Sequence, residues 1–239
     1  MNTTKMKAFI SLVIGLFLAG AVFAAPANFT LFGDAELTSP GNNSPTATQI
    51  RSGLTGLGYG GVSLAIPAGL TLADFDQLSA DFNLTAGGCG AGSPRFQVKV
   101  LDPNDNTAKN LFVHFGDYPN YNNCATGTWT STGDLFQTGK YIETSQVFGG
   151  GYQLLGYDDT IATYGEYEVV SITLVVDANY AFPETGQTVL IDNVRINDTV
   201  YTFESPNSCK NGGWQNFTSG PGPFANQGLC VSYFARGGQ

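Results

Sequence analysis

The sequence predicts an all-β protein in which two antiparallel sheets pack face to face. Apolar and polar residues alternate within many short segments, which is the period of a strand with one buried face. Runs of Gly, Asn, Asp, Ser and Pro separate these segments and favour turns. Charged residues make up 12% of the chain, against about 25% in an average soluble domain. This low charge, with many turn formers, is typical of an exported β-sandwich.

The alternation predicts the elements in order. Residues 96–100 put their apolar side chains on one face, and the turn formers at 102–106 separate them from a second apolar strand at 110–115. These two strands therefore predict a hairpin. Residues 156–164 predict a short helix that ends at Gly165. The other predicted strands span residues 61–66, 78–84, 169–176, 188–196 and 200–203.

The first 24 residues predict a cleaved secretory signal. Two lysines precede an uncharged, almost wholly apolar run at residues 8–22, and small residues lead up to Ala24. The apolar run has about 15 residues, which is shorter than the roughly 20 needed to cross a bilayer. We therefore expect a mature protein that begins at Ala25 and is secreted to the extracellular space.

The charge balance excludes two classes of partner. Without the predicted signal, the chain carries 8 basic and 19 acidic residues. Nucleic acids and anionic membranes are bound through lysine and arginine, so neither is an expected partner. No second apolar run is long enough to cross a membrane, so we expect no membrane span in the mature form.

The four cysteines form two local pairs, Cys89 with Cys124 and Cys209 with Cys230. Four thiols allow three pairings, and we favour the pairing of neighbours because each pair encloses a Gly- and Asn-rich segment. Zinc is the alternative, but the chain has one histidine and no C-x-x-C pair. The second pair predicts a disulfide-stapled C-terminal module at residues 205–239, separate from a sandwich domain at residues 25–204.

Two segments resemble known families. The strand Val189–Ile196, with Asp192 at its centre, is similar to the closing strand of carbohydrate-binding-module jelly rolls with the galactose-binding-like fold, and residues 32–37 match the opening strand. The resemblance implies a jelly-roll sandwich and a structural calcium ion at Asp192. Asp34 and Glu36 are further ligand candidates by location only, and no other cofactor is expected. The motif from Cys209 to Tyr233 is similar to the ends of uncharacterised secreted prokaryotic proteins.

Loop aromatics predict where a sugar would bind. Sugar rings stack on exposed aromatic faces beside amides and carboxylates. The segment around the first disulfide offers Tyr118, Tyr121, Asn123 and Trp129 as ligand-binding candidates. The alternative is that these rings pack onto the edge of the sandwich. A second aromatic set consists of Tyr152, Tyr157 and Tyr164.

Catalysis has less support in the sequence. His114 lies in an apolar strand and has no nucleophile motif to serve. The carboxylate pairs are sequence neighbours, whereas glycoside hydrolysis needs two carboxylates facing each other across a bond. We expect a non-catalytic protein that binds extracellular or cell-wall polysaccharide. A structural or adhesive surface protein is the alternative, and an extracellular glycoside hydrolase comes third.

Overall fold

A computed structural model describes residues 28–236. The predicted signal, residues 1–24, lies outside this range. Seven strands form one antiparallel sheet, the first sheet, which contains in spatial order β1 (Phe29–Gly33), β4 (Gly60–Leu64), β11 (Glu168–Val176), β6 (Arg95–Asp102), β7 (Thr107–His114), β9 (Tyr141–Glu143) and β10 (Leu154–Gly156). The all-β sandwich predicted from the sequence is confirmed.

Six strands form the second sheet, which is also antiparallel. It contains, in spatial order, β2 (Ala35–Thr38), β3 (Ala47–Ser52), β12 (Gln187–Ile196), β5 (Leu78–Ala86) and β8 (Thr130–Ser131), with β13 (Thr199–Tyr201) paired to β12. Two short helices, α1 (Ser145–Phe148) and α2 (Tyr157–Tyr164), connect strands. Helix α2 matches the helix expected before Gly165.

The core lies between the sheets. Along β5, residues 78, 80, 82 and 84 are buried and alternate with more exposed neighbours, and β6 repeats the pattern with Phe96, Val98 and Val100. Side chains alternate between the two faces of a strand, so each sheet is left with an outer face that the core does not use. These outer faces carry the candidate sites described below.

The opening strand differs from its prediction. Residues 32–37 do not form one strand, because the chain changes sheets at Asp34: β1 pairs with β4 in the first sheet and β2 pairs with β3 in the second. Gly33 has a φ of +62°, which allows the turn at this point. Strand β3 then separates β2 from the closing strand β12.

The predicted hairpin is formed by β6 and β7, which pair from Arg95–His114 to Asp102–Thr107. Lys109 bridges Asp102 and Asp105, with Nζ–O distances of 2.6 and 3.0 Å. Hydrogen bonds from Thr107 and Lys109 lower the pKa of Asp105 to about 2. The connecting residues therefore form a lysine-clamped turn.

The C-terminal residues form a small cluster of their own. Both predicted disulfides, Cys89–Cys124 and Cys209–Cys230, are present. The second lies in a hydrophobic cluster with Phe217 and Phe234, against which Trp214 and Phe224 pack. A helix, α3 (Gln227–Ala235), was not expected; the side chain of Asn226 caps it by accepting from the backbone N–H of Leu229 at 2.9 Å. None of the helices within residues 28–236 is long and apolar enough to cross a membrane.

Candidate functional site

A row of outward-facing residues crosses the first sheet. Strand register aligns Thr30, Ser63, Thr173, Gln97, Phe112 and Glu143 on six successive strands. A second row beside it contains Phe32, Gly61, Val175, Arg95 and His114. Neighbouring strands are about 4.8 Å apart, so the first row extends about 24 Å and the second about 19 Å. We call this pair of rows the polar strip.

Three cavities lie along the polar strip and share residues. The largest, about 550 Å³, lies beside Tyr59 and Gln97 and ends at Asp177. The next, about 220 Å³, extends from Asp177 to His114. The third, about 160 Å³, continues from His114 to Tyr118. Asp177 lines the first two cavities and His114 lines the second and third, so the three depressions are neighbours along the sheet. We call this series of three cavities the channel.

His114 and Glu143 form the polar centre of this channel. The Nδ1 atom of His114 lies 3.0 Å from the carbonyl oxygen of Gly92, and its Nε2 atom lies 3.0 Å from Oε2 of Glu143. Burial raises the pKa of Glu143, but hydrogen bonds from His114 and Ser145 and the charges of His114 and Arg95 outweigh it, so the pKa is lowered. Glu143 is thus an ionised acceptor at neutral pH.

Arg95 is held rigidly next to this pair. Its two terminal nitrogens each lie 2.7 Å from a different carboxylate oxygen of Asp177, which is the bidentate geometry of a strong ion pair. Its guanidinium carbon also lies 5.2 Å from the centre of the Phe112 ring. The channel floor therefore presents fixed donors and acceptors beside an aromatic face.

Tyrosines form one end of the polar strip. Tyr118 is 51% exposed, and its ring stacks on that of Tyr141 with a centroid distance of 3.9 Å and an interplanar angle of 9°. Tyr121 lies beneath them, 7% exposed, with its ring centroid 4.2 Å from that of His114. Burial, with the nearby Tyr152 hydroxyl, raises the pKa of Tyr121, so its hydroxyl stays protonated. Tyr121 thus supports this end from below and presents little of its own surface.

The other predicted ligand-binding residues lie elsewhere. Asn123 is exposed in the same loop as Tyr118, with a φ of +64°. Trp129 is half-buried one residue before β8, on the second sheet, so the structure separates it from the tyrosines. The second aromatic set is also divided, because Tyr157 packs on Phe136 and Tyr164 is buried.

The predicted metal ligands Asp34 and Glu36 are paired with an arginine. Arg51 contacts Oδ1 of Asp34 at 3.3 Å and also pairs with Glu36. Hydrogen bonding and attraction from Arg51 lower the pKa of Glu36. Within residues 28–236, no group of three or more His, Cys, Asp or Glu side chains is arranged to hold a metal ion. Arg51 thus already holds the carboxylates of Asp34 and Glu36.

Asp192 is fully buried, and the charge of the Glu204 carboxylate acts on it. Its Oδ2 accepts from the Ser44 hydroxyl at 2.7 Å and from the Asn42 backbone at 2.8 Å, and its Oδ1 accepts from the Asn193 backbone at 2.8 Å. Burial and the charge of Glu204 raise the pKa of Asp192 to about 7. Oε2 of Glu204 is buried without a hydrogen-bond partner among the described residues. These two carboxylates form an electrostatically costly pair.

Sequence reasoning missed several residues of the polar strip. Tyr141 and Glu143 lie on β9, a three-residue strand too short to give a periodic signal. Arg95 precedes the predicted strand. Its guanidinium is held in position by Asp177, which lies 82 positions later in the chain. One signal was available in the sequence. Polar side chains at alternate positions of several predicted strands must all lie on the outer faces of the sheets, where a site could form.

Comparisons with known proteins add partial likenesses. No family model matches the chain, and no curated protein matches it. A solved exo-β-agarase structure aligns with 75% of this chain at 15% identity and a TM-score of 0.37. A "putative sugar binding protein" from Bacteroides thetaiotaomicron aligns with 72% of this chain and 83% of its own, at 15% identity and a TM-score of 0.32. The alignment covers 24% of the agarase chain. At this level of similarity, neither structure identifies a function for the chain.

Proposed function

We propose that this protein is an exported, non-catalytic carbohydrate-binding protein that holds a polysaccharide chain along the polar strip. The observation that carries the proposal is the series of three neighbouring cavities along this face, which share Asp177 and His114 as lining residues. A strip of residues about 24 Å long suits an extended polymer, since several sugar rings can lie one after another along it. The two disulfides are consistent with an oxidising extracellular location.

The chemistry of the channel supports sugar as the ligand. Tyr59 and Tyr118 provide exposed aromatic faces toward its two ends, at 45% and 51% exposure. Between them, Gln97 and Glu143 offer hydrogen-bonding groups, and Arg95 is fixed by its ion pair. Aromatic faces for the ring and rigid polar groups for the hydroxyls are the two requirements of sugar recognition.

The test is a glycan array followed by titration of the best ligand. Tyr118→Ala and Tyr141→Ala should each weaken binding at least tenfold, because each removes part of a stacked pair. Phe148→Ala is the matched control: Phe148 is 53% exposed and does not line the channel, so affinity should be unchanged. Equal affinity in all three variants, or no glycan bound by the folded wild-type protein, would overturn the proposal. Turnover of the bound glycan would overturn its non-catalytic part.

The structural calcium predicted from the sequence stays a proposal, with Glu204 replacing Asp34 and Glu36 as the second carboxylate. The supporting observation is the unpartnered Oε2 atom of Glu204 beside the buried Asp192. Calcium prefers carboxylate, hydroxyl and carbonyl oxygens, and Ser44 and Thr46 lie against this pair.

A further inference from the structure

A separate groove lies on the outer face of the second sheet, where the C-terminal cluster packs over it. Its floor contains Gln77, Ser79 and Asp81 of the β5 region and Asn193 and Arg195 of β12, and its opposite wall contains Ser219, Gly220, Pro221 and Tyr233. The cavity is about 410 Å³, within the usual range of small-ligand sites. We call it the second groove.

Arg195 is the cation of this groove, and it has no partner within residues 28–236. The arginines Arg51 and Arg95 are paired with carboxylates, as is Lys109. By contrast, no ion pair or side-chain hydrogen bond in the described part of the chain involves the guanidinium of Arg195, although its residue is half-buried. In a protein with 19 acidic and 10 basic residues, a half-buried arginine left uncompensated is a notable exception.

The carboxylate of Asp81 lies in the same groove but makes no ion pair with Arg195 within the described residues. Oδ2 of Asp81 accepts from the side-chain amide of Asn42 at 3.0 Å and from that of Asn193 at 2.9 Å, which holds it in place. Asp81 and Asn193 therefore provide fixed groups for ligand hydroxyls, while Arg195 keeps its capacity for an oxyanion.

We infer that the second groove binds a saccharide carrying a carboxylate, such as a uronate residue. A guanidinium binds a carboxylate through two parallel hydrogen bonds, which gives both strength and orientation. The hydroxyls of Ser79, Ser131 and Thr202 line the same groove and suit a polyol, and Tyr233 supplies an aromatic wall. Because Tyr233 comes from the C-terminal cluster, this cluster acts as part of a binding site. The inference does not depend on the polar strip.

The test is calorimetric titration of the full oxidised chain with oligomers of galacturonate, glucuronate and mannuronate. Methyl-esterified oligogalacturonate is the neutral control for the carboxylate, and a sulfated galactose oligomer distinguishes the two kinds of oxyanion. Arg195→Gln should weaken uronate binding at least tenfold, and Arg195→Lys should weaken it less. Arg236→Gln is the matched charge control, because Arg236 is exposed outside the groove, and it should bind as the wild type does.

The remaining outcomes decide the assignment. Tyr141→Ala, which alters the polar strip, should leave uronate affinity unchanged, so failure of one site does not imply failure of the other. The inference is overturned if the folded protein binds none of the three uronates, or if Arg195→Gln binds them as the wild type does. It is also overturned if the methyl ester binds equally well, or if the sulfated oligomer binds and the uronates do not.

Discussion

The two outer faces of the sandwich are built by the same alternation and differ in what covers them. On the first sheet the polar strip is open to solvent. What can bind there is therefore determined mainly by the side chains that the strands themselves present. On the second sheet, the C-terminal cluster packs over part of the face and encloses a groove around Arg195. The comparison shows that strand periodicity provides polar outer faces, whereas the packing of loops and appendages determines the shape of each site.

The largest expected effect concerns the buried carboxylate of Asp192, whose chain neighbour Asn193 lines the second groove. The pKa of Asp192 is about 7 in the folded protein, against 3.8 for a solvent-exposed aspartate, a difference worth about 4 kcal/mol. Because the pKa of Asp192 is higher in the folded protein, Asp192 contributes this amount in full to the free energy of unfolding below about pH 3.8. The contribution is lost as the pH rises through about 7. The pKa of Glu204 shifts in the same direction. Urea unfolding in EDTA should therefore show a decrease between pH 4 and pH 7.5.

Asp192→Asn is the control, because it cannot titrate and should flatten that decrease. Calcium should abolish the decrease in the wild type by binding the ionised pair, and should have no effect on the variant. A pH profile that is the same in both proteins would contradict the assigned protonation of Asp192. An absence of any calcium effect in the wild type would count against the proposed ion.

The second prediction separates the two faces by removing the C-terminal staple. Cys209→Ser with Cys230→Ser should destabilise the small cluster by about 3 kcal/mol, since it opens a short loop in a segment with a small core of its own. Uronate binding to the second groove should be lost with Tyr233. Glycan binding to the polar strip should persist, because no residue of the strip belongs to the cluster. Simultaneous loss of both activities would show that the two faces are not independent.

The third prediction concerns two substitutions, each of which fills one of the two sites with a long side chain. Thr173→Arg places a long side chain at the middle of the polar strip, and it should weaken binding of long oligosaccharides at least tenfold while short ones lose less. Ser79→Arg does the same to the second groove. Each variant should leave the other site unchanged in titration. Reciprocal losses would contradict the division into two sites.

The smallest expected effect is the loss of an exposed ion pair, which can be compared with the loss of a more buried one. Arg51 pairs with Asp34 and Glu36 on a solvent-exposed surface, so Arg51→Gln should change the free energy of unfolding by less than about 1 kcal/mol. The side chain of Arg95 is 13% exposed, and its pairing with Asp177 supports the polar strip, so Arg95→Gln should reduce both stability and glycan affinity. Thermal unfolding and titration of the two variants measure this difference. Equal behaviour would show that Arg95 has no special role in the channel.

Much of the fold followed from local patterns. The hairpin of β6 and β7, the strands β5, β11 and β12, and helix α2 each lie within a few residues of their predicted bounds. Helix α3 was missed because its residues follow a stretch rich in Gly and Pro, which favour turns and loops. The division of the opening strand at Asp34 was also missed, since alternation does not show which sheet a strand joins.

The candidate site was less predictable than the fold. The sequence proposed Tyr118 as a ligand-binding residue, but it did not show the stacking partner Tyr141, which is 23 positions away on strand β9. Trp129 was grouped with the tyrosines because it is close in sequence, and the structure places it at the second sheet. Proximity along a chain is a poor guide to proximity on a β-sandwich, where neighbouring strands are often distant in sequence.

By itself, the sequence determined that this protein is a β-sandwich with polar outer faces and two local disulfides, because strand alternation, turn formers and cysteine spacing are local properties. Only the tertiary structure decided which polar residues meet. Strand register aligned Thr173, Gln97 and Glu143 across the first sheet, and packing of the C-terminal cluster enclosed Arg195. These arrangements depend on contacts between residues far apart in the chain, and no local pattern contains that information.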